Sequence, residues 1–388
     1  MKISITICEY NPLHLGHIRQ INFIKENIKP DIIAVILSGN FVERGEPSIC
    51  DKYTRALWAI NAGADIVFEL PTVFATGNAE VFSKGALKLA NSLPGEKVLC
   101  FGTETDNASS LIEIAKAMLV ETEEYKKQLK LELKEGLPFA KARHNALLKT
   151  HPELDLTPLS TPNNILGVEY IKAILQNDYD ISIKTIKRDS DYNESKIIKK
   201  SPSALSIRTA ILSGKKYKCK GSVPKYVYKD LPTKLPDFSR EIIYSLLKST
   251  KEELKRLPDL SEGLENKIKA LVKDNFNLGG LISKLKTKRY TETRLKRILI
   301  SSLLGIEESF VKKCLNDDLY LKVLAVNKDR TDILSTLSKA KYPLITRKSN
   351  YSTLSGTALE CFNKDIFSSD IYSSVTGTKT NEFEMKIK

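Results

Sequence analysis

Two histidines three positions apart, His14 and His17, carry side chains suited to chemistry on phosphate groups. Imidazoles can donate hydrogen bonds to phosphate oxygens as negative charge grows on them during a reaction. Gly16 between them has no side chain, so we expect a ligand to approach the backbone there. Two alternatives stay open: ordinary polar residues near a turn, or a metal site, although no Cys, Asp or Glu lies beside the pair at zinc-like spacing.

The residues around this pair predict a strand followed by a helix. Residues 3–7 are β-rich and apolar at alternate positions, which favours a strand. Residues 18–29 carry isoleucines at helical spacing, which favours a helix. The pair therefore falls at the start of a helix, where free N–H groups and the helix dipole attract anions. A phosphate site is the favoured interpretation.

The rest of the first half alternates between predicted strands and helices. Apolar runs predict strands over residues 31–37, 64–70, 97–101 and 181–186, with helices over 51–62, 78–91 and 109–119 between them. This order predicts an α/β, Rossmann-like parallel sheet that binds ligands beyond the carboxyl ends of its strands. Several residues fall at predicted strand ends and can converge there: His14, Gly16, His17, Ser38, Gly39 and Gly102.

The chain divides into two predicted domains. Residues 1–220 form the α/β domain, in which residues 121–160 are a possible helical insertion over the site. Prolines mark a linker over residues 221–238, and residues 239–388 are predicted to be a mainly helical, basic domain. No apolar run is long enough to span a membrane, and six scattered cysteines favour reduced thiols in the cytoplasm.

Two further helix starts are predicted to lie near the site. Asn163 or Asn164 is expected to cap the helix that follows Pro162. Ser206 is expected to cap a helix that runs to Leu212, which would place Arg208 in the first turn, near a second anion site.

The net charge of +14 suggests an anionic partner, and nucleic acid is the first candidate. A uniformly basic surface is the alternative, but the basic residues are clustered within residues 195–229 and 284–297. We expect the side chains of Arg294, Lys296 and Arg297 to point largely outward from their helix. The candidate RNA-binding residues are Lys196, Lys199, Lys200, Arg289, Arg294 and Arg297.

Five ordered blocks carry a resemblance to a known family. They are residues 9–17, 38–47, 63–71, 101–104 and 162–170. Together they resemble the bacterial tRNA(Met) cytidine acetate ligases, within the nucleotidylyltransferase superfamily of the HIGH type. The blocks cover the whole predicted α/β domain, and residues 293–297 are similar to a basic helix of that family. The resemblance implies a HIGH-type (HUP) nucleotidyltransferase fold.

The resemblance also implies a reaction. ATP and acetate form acetyl-adenylate and pyrophosphate, and the acetyl group passes to the wobble cytidine of elongator tRNA(Met), giving N4-acetylcytidine. His14 and His17 would stabilise the charge on the phosphates during adenylation. Mg²⁺ is expected to accompany ATP, but no set of protein ligands for it is visible in the sequence.

The resemblance assigns further residues to the nucleotide. Gly102 would pass under the adenosine, Asn163 or Asn164 and Arg188 (or its neighbour Lys187) would contact the nucleotide, and Ser206 and Arg208 would hold the β- and γ-phosphates. The ATP-binding segment of the family corresponds to Ile7, Cys8, Glu9, Tyr10, Asn11, Pro12, Leu13, His14, Leu15, Gly16, His17, Ile18, Arg19 and Gln20.

Two other functions would each explain part of the sequence. A small-molecule nucleotidylyltransferase that makes a nucleotide cofactor or a CDP-linked or ADP-linked precursor would explain the histidine pair, but it leaves the basic clusters without a task. A non-catalytic RNA-binding protein would explain the charge, but the intact His14, Gly16, His17 and Arg208 argue against a decayed site. Acetate-dependent release of pyrophosphate separates the acetate ligase from both of these alternatives.

Overall fold

The strand predicted before the histidine pair lies near the middle of a sheet. A computed structural model describes residues 1–105, 108–137, 139–188, 202–261 and 263–388. Within these residues the strands are β1 (Lys2–Cys8), β2 (Ile32–Ser38), β3 (Phe41–Val42), β4 (Glu46–Pro47), β5 (Ile66–Leu70), β6 (Glu96–Thr103), β7 (Ser182–Lys187), β8 (Leu321–Val326), β9 (Leu344–Ile345) and β10 (Lys386–Ile387).

Helices connect and cover these strands. Those between β1 and β7 are α1 (Leu15–Phe23), α2 (Lys52–Ala62), α3 (Thr72–Ala75), α4 (Ala79–Ser92), α5 (Ala108–Leu119), α6 (Glu123–Lys134), α7 (Phe139–Thr150) and α8 (Pro162–Gln176). The later ones are α9 (Ala204–Leu212), α10 (Lys225–Asp230), α11 (Ser239–Lys248), α12 (Lys251–Lys255), α13 (Leu264–Leu271), α14 (Leu278–Leu285), α15 (Glu292–Leu304), α16 (Glu308–Asn316), α17 (Ile333–Leu337), α18 (Lys348–Tyr351) and α19 (Gly356–Thr376).

The predicted parallel sheet is confirmed. Its strand order is β10-β8-β5-β2-β1-β6-β7, with β9 added beside β8. Strands β5, β2, β1, β6 and β7 run parallel, while β8 is antiparallel to β5. The chain first builds the sheet outward from β1 through β2 and β5, and then returns to the other side of β1 with β6. The direction reverses at β1, so the carboxyl end of β1 is the topological switch point, where ligands bind in such sheets.

Apolar side chains cover both faces of the sheet. Ile3 and Ile5 of β1 belong to one core, together with residues of the helices on that face. Ile33, Val35 and Leu37 of β2 belong to a second core on the opposite face, which includes Trp58 of α2. Burial on both faces explains why β2 is a continuous apolar run rather than an alternating one.

Both parts of the chain contribute to this sheet. All six residues of β8 are buried, and its pairing with β5 places Ile66 opposite Val326. The predicted linker 221–238 contains α10 and is held to α2, because the Trp58 indole donates to Asp230 Oδ2 at 2.7 Å. The linker is therefore not a boundary of the sheet, and the division into domains stays a prediction.

A buried group of paired charges joins the two parts. Lys52 Nζ lies 2.7 Å from Glu69 Oε1 and 2.6 Å from Glu382 Oε2, and Lys322 Nζ lies 2.9 Å from Glu69 Oε2. Lys322 also pairs with Glu382. Removing one member would leave its partners buried and uncompensated, which is strongly destabilising.

Two helix starts differ from the predictions. Thr161, not Asn163 or Asn164, occupies the N-cap position of α8, and both asparagines lie in its first turn. Ser203, not Ser206, caps α9: its hydroxyl accepts the N–H of Ser206 at 3.0 Å. Both helices start earlier than expected because several residues that can cap a helix stand close together. Arg208 consequently lies in the second turn of α9 and not in the first.

Residues 121–160 form the helical hairpin of α6 and α7, as their composition predicts. None of the described residues in this range lines the cleft at the carboxyl ends of β1 and β6, and the position of the hairpin over the site stays a prediction. No helix in the described part of the chain is both long and apolar enough to cross a membrane.

Candidate active site

A cleft of about 330 Å³ opens at the carboxyl ends of β1 and β6, at the switch point of the sheet. Most of the polar residues that the sequence singled out meet there. The predicted site residues in its lining are Ile7, Cys8, Glu9, Tyr10, Asn11, His14, His17, Gln20, Gly102, Asn163, Arg188 and Arg208.

Other predicted residues lie outside this lining. They are Pro12, Leu13, Leu15, Gly16, Ile18, Arg19, Asn164 and Ser206. Several lining residues were not predicted: Glu43, Arg44, Ala79, Phe82, Phe101, Pro162, Ile165, Leu166, Tyr170, Ser203, Ala204, Leu205 and Thr293. Glu43 and Arg44 belong to a block that carried the resemblance, so a signal existed for them. Thr293 enters from α15 and belongs to residues 293–297, which are also similar to the family, although no periodicity connects it to the site.

The two histidines form a rigid pair at the start of α1. Their rings stack with centroids 3.8 Å apart. His14 Nδ1 accepts the N–H of Gly16 at 3.1 Å, and His17 Nδ1 accepts the N–H of His14 at 3.2 Å. An imidazole whose Nδ1 accepts a hydrogen bond carries its proton on Nε2. Each ring therefore keeps one N–H donor that the helix start does not use.

Both histidines are neutral at physiological pH. Burial lowers the pKa of His14 well below its usual value, with the nearby His17 adding to the effect. Burial and the positive charge of Arg188 lower the pKa of His17 to about 3. The rings can therefore donate hydrogen bonds to phosphate without carrying a charge of their own. Burial also raises the pKa of the Cys8 thiol, which stays protonated.

The absence of a side chain at Gly16 leaves room for the His14 ring. A Cβ atom at position 16 would lie 2.9 Å from His14 Cε1 and 3.0 Å from its Nδ1. The space above this glycine is therefore filled by the imidazole that accepts its N–H. The approach of a ligand to the backbone at Gly16 stays a prediction.

Arg188 lies across Gly102 at the end of β6. A Cβ atom at Gly102 would lie 3.1 Å from Arg188 Cγ and 3.2 Å from its Cδ. The N–H of Arg188 donates to Thr103 O at 2.8 Å, which holds the arginine beside this strand end. Arg188 lines the cleft, whereas Lys187 is exposed and does not. Of the two residues that the sequence left open, the geometry favours Arg188.

A carboxylate organises the start of α8. Glu104 Oε2 accepts the N–H of Asn164 at 3.0 Å, and Asn164 Oδ1 accepts the N–H of Glu104 at the same distance. The side-chain amide of Asn163 donates to the other oxygen of Glu104. A negative charge at a helix N-terminus is stabilising. Asn164 is buried in this arrangement, so Asn163 is the asparagine that reaches the cleft.

The start of α9 brings a cation to the opposite wall. Arg208 is largely buried, and its Nη1 donates to Asn11 O at 2.8 Å. Its Nη2 lies 3.9 Å from Glu46 Oε2. Ser206 is fully buried and donates its hydroxyl to Ser203 O at 2.8 Å, so its neighbours Ser203, Ala204 and Leu205 face the cleft in its place.

A buried arginine fixes the loops at the ends of β1 and β2. Arg55 of α2 donates from Nη1 to Glu9 O at 2.6 Å and to Ser38 O at 3.0 Å. Its Nη2 donates to Gly39 O. These main-chain oxygens lie at the ends of adjacent parallel strands, and one guanidinium satisfies all three. This fork holds the backbone under the cleft at a constant geometry.

The hairpin of β3 and β4 packs directly on α15. Gly45 has φ of +68°, and a Cβ atom there would lie 2.3 Å from the main-chain N of Arg297. Arg297 pairs with Glu43 at 3.2 Å and with Asp259 at 3.3 Å, and its side chain is only 14% exposed. Burial and the charge of Glu9 raise the pKa of Glu43 to about 7, although Arg297 opposes the shift. This contact carries Arg44 and Thr293 into the lining of the cleft.

The predicted outward orientation of the basic residues on α15 is therefore wrong for Arg297, because the hairpin covers that face. Lys296 is also tied to the hairpin, 2.8 Å from Glu46 Oε1. Arg294 donates from Nε and Nη2 to Asp259 O and lies over the ring of Tyr290. Arg289 is partly buried, and Lys196, Lys199 and Lys200 lie outside the described residues. Direct contact with RNA stays a prediction for the six candidate RNA-binding residues, which are Lys196, Lys199, Lys200, Arg289, Arg294 and Arg297.

The fold and the cleft define a nucleotide-binding α/β protein with a histidine pair at its first helix, and comparison with known proteins agrees. A model of the HIGH Nucleotidyl Transferase family matches residues 1–386. The chain belongs to this family.

Relatives with similar sequences indicate a more specific class of protein within this family. The chain is 39% identical to the tRNA(Met) cytidine acetate ligase of Caldanaerobacter subterraneus subsp. tengcongensis over an alignment of 378 residues. This alignment covers 94% of this chain and 93% of that protein. It is 36% identical to the enzyme of that name from Clostridium acetobutylicum over 369 residues, 91% of this chain and 92% of the other. The predicted resemblance is confirmed.

Solved structures agree over the full length. The crystal structure of Thermotoga maritima TmcAL without ligand superposes with a TM-score of 0.92 at 27% identity, and covers 100% of both chains. The structure of the same protein bound with alpha-thio ATP superposes with a TM-score of 0.89 at 26% identity, again over 100% of both chains.

Proposed function

We propose that this chain is an ATP-dependent ligase that acetylates the wobble cytidine of elongator tRNA(Met), with acetate as the acyl donor. Relatives with this name match the chain over more than nine-tenths of its length. The observation that carries the proposal is the pair of neutral, backbone-anchored imidazoles at the switch point of the sheet. Because ATP and tRNA are both found in the cytoplasm, we place the protein there.

In the first step, a carboxylate oxygen of acetate attacks the α-phosphorus of ATP. The bond from this phosphorus to the bridging oxygen of the β-phosphate breaks, and pyrophosphate leaves with that oxygen. Negative charge on the phosphates shifts as this bond breaks, and preorganised donors there stabilise the transition state. His14 and His17 are proposed to donate from Nε2 to these phosphates.

The other proposed nucleotide contacts surround this centre. Arg208 would pair with the β- and γ-phosphates, Gly102 and Asn163 would border the adenosine, and Arg188 would add positive charge. The ATP segment Ile7–Gln20 would contribute mainly through the members that line the cleft, apart from the side chain of Asn11. Ser206 would act through the packing of α9, since both its hydroxyl and its N–H are used within the helix cap.

Mg²⁺ fits this site only as a companion of the nucleotide. In the part of the chain that the structure describes, no group of three or more His, Cys, Asp or Glu residues could hold a metal ion. Of the two carboxylates in the cleft, Glu9 accepts the N–H of Glu43, and Glu43 pairs with Arg297. Mg²⁺ commonly binds through substrate phosphates with few protein ligands, and it would neutralise phosphate charge here.

In the second step, the N4 amine of cytidine attacks the carbonyl carbon of acetyl-adenylate. The bond from this carbon to the phosphate oxygen breaks, AMP leaves, and N4 loses one proton. The product is N4-acetylcytidine in the tRNA. This step needs the cytidine to be taken out of its stack and brought into the cleft.

Exposed lysines before α15 are suited to hold the RNA backbone near this cleft. Lys284, Lys286 and Lys288 are exposed, and they precede the cleft residue Thr293 by fewer than ten positions. Lys284 donates to Asn275 Oδ1, whose neighbour Phe276 is 71% exposed. Lysines beside an exposed aromatic ring suit phosphates and an unstacked base.

Isotope transfer tests the proposed function. Purified protein, ATP and radiolabelled acetate are incubated with elongator tRNA(Met) or with a second tRNA that has no cytidine at the wobble position. The proposal predicts label in N4-acetylcytidine of the first tRNA only. Label in neither tRNA, or equal label in both, would contradict it.

A further inference from the structure

Asn11 lines the cleft and carries a side-chain donor that no described residue uses. This residue follows β1, lines the cleft and is only 2% exposed. Its Oδ1 accepts the N–H of Ile49 at 2.7 Å, which fixes the orientation of the amide. The Nδ2 atom is buried and has no hydrogen-bond partner among the described residues. Leaving a buried amide donor unsatisfied is costly, and such groups are rare without a functional reason.

The surroundings of Asn11 favour an anionic oxygen as the missing acceptor. The main-chain oxygen of Asn11 accepts a hydrogen bond from the guanidinium of Arg208 at 2.8 Å, so a positive charge lies at the backbone of this residue. An amide N–H next to a cation is a suitable donor for carboxylate or phosphate oxygen. In the proposed reaction these two sources are the acid and the nucleotide.

The charged residues on the neighbouring wall of the cleft favour the acid over the nucleotide as the source of the anionic oxygen. Glu9 lies two residues before Asn11, and its Oε1 accepts the N–H of Glu43 at 3.0 Å, so two acidic residues meet in this part of the lining. Glu43 is balanced by its pairing with Arg297, so Glu9 is the carboxyl that acts here. A triphosphate with several negative charges would be repelled by a carboxylate at Glu9 more strongly than a small acid with one charge. His14 and His17, by contrast, face the phosphates from the start of a helix, where anions are favoured.

We propose that Asn11 Nδ2 donates a hydrogen bond to the carboxylate of the small acid and so belongs to the acyl subsite of the cleft. This inference rests on the proposed function, since it needs an acid that is activated by ATP. It assigns Asn11 to substrate binding, separate from the positioning of the ATP phosphates.

The test measures the KM for the acid and the Kd of the nucleotide in separate arms. The first arm determines the KM for acetate in ATP–pyrophosphate exchange for wild type, Asn11→Asp and Asn11→Ala. Asp keeps an oxygen for the N–H of Ile49 and replaces the donor by a negatively charged acceptor. The second arm measures the Kd of ATP without acetate by calorimetry for wild type and Asn11→Ala, because the added charge in Asn11→Asp would repel ATP as well.

Asn40→Asp is the matched control. Asn40 is as deeply buried as Asn11, and its Oδ1 accepts the N–H of Lys52 at 2.8 Å. Its Nδ2 has a protein partner, Ser369 Oγ at 3.1 Å, and the residue does not line the cleft. Thermal unfolding of all three variants reports the cost of altering a buried asparagine, separately from the KM for acetate.

We expect the KM for acetate to rise about tenfold or more in both Asn11 variants, as for a lost hydrogen bond to a charged group, with the larger rise in Asn11→Asp. The Kd of ATP should change less than about threefold in Asn11→Ala. A weakened Kd of ATP with an unchanged KM for acetate would move the donor to a phosphate and overturn the assignment. Unchanged values in both arms, or an equal rise of the KM for acetate in Asn40→Asp, would overturn a ligand role for Asn11. Failure of wild type to show acetate-dependent exchange would refute the proposed function instead.

Discussion

The Nδ1 atom of His17 accepts the main-chain N–H of His14 at 3.2 Å, while the two imidazole rings stack at 3.8 Å. The first turn of α1 thus fixes the tautomer of His17 and its contact with the neighbouring ring. A donor held in advance needs no reorganisation when charge develops on a bound phosphate, and this preorganisation is what makes it effective.

Replacing His17 by alanine should remove adenylation and leave RNA binding nearly intact. Loss of one preorganised donor costs about 10²- to 10³-fold in turnover. The measurements are ATP–pyrophosphate exchange and binding of tRNA(Met) at fixed salt. His144→Ala is the matched control, because His144 lies on α7 outside the lining of the cleft. An equal loss of exchange and RNA binding would refute the assigned role.

The His17 pKa predicts a specific acid sensitivity of folding. The native pKa of about 3 lies below the value near 6.5 expected for an unfolded chain, so the unfolded state binds more protons between these values. Stability contributed by neutral His17 is therefore complete above about pH 6.5 and is lost as the pH falls, by about 2 kcal/mol at pH 5.

Urea denaturation of wild type and His17→Asn at pH 7.5 and pH 5 measures this contribution. The variant also lacks the effect of His17 on the pKa of His14, which acts in the same direction, so the variant should lose less stability between the two pH values. The same loss in wild type and variant would contradict the buried, neutral state of His17.

Gly16→Ala tests the packing of His14 against the backbone. The new Cβ atom would lie 2.9 Å from His14 Cε1 and would displace the ring that accepts the N–H of residue 16. We expect exchange activity to fall by about tenfold or more, as for a misplaced catalytic donor. Gly280→Ala in α14 is the control, since its nearest outside atom, Asn277 Oδ1, lies at 3.6 Å. Full activity of Gly16→Ala would show that the ring has room to move.

The exposed lysines before α15 predict where RNA contact is lost most easily. Lys286→Glu with Lys288→Glu should weaken binding of tRNA(Met) and reduce its dependence on salt, with unchanged exchange activity. The control is Lys328→Glu with Lys339→Glu, which makes the same change of charge. Lys328 lies just after β8, near the amino end of β5, away from the cleft. Equal weakening by both pairs would indicate a general effect of net charge.

Local periodicity was sufficient to predict the five parallel strands and the position of the histidine pair, but not that β8, β9 and β10 join the same sheet. It failed where distant segments decide the outcome. Arg297 looks like an outward residue on its own helix, but Glu43, more than 250 positions earlier, covers it. The long helix α19 gave no apolar pattern because its buried face includes Asp365, Ser368 and Ser369, which bond to other buried polar groups.

The residues of the site were likewise predictable where local patterns place them, and not where contacts between distant segments decide their position. Of the six residues expected to converge beyond the strand ends, His14, His17 and Gly102 line the cleft, whereas Gly16, Ser38 and Gly39 do not. The cap of α9 was misplaced because Ser203 and Ser206 are equally good capping residues by type, and only the tertiary structure chooses between them. The unused donor of Asn11 depends on a contact with Ile49 that no spacing in the sequence reveals.

ATP–pyrophosphate exchange by the purified protein, with acetate, with other small carboxylates and with no acid, tests the central claim most directly. The account predicts exchange that requires acetate and proceeds without tRNA, because acetyl-adenylate forms in the cleft before the RNA is modified. Exchange that ignores acetate, but turns over with a phosphorylated metabolite, would contradict it and would assign the histidine pair to small-molecule nucleotidyl transfer.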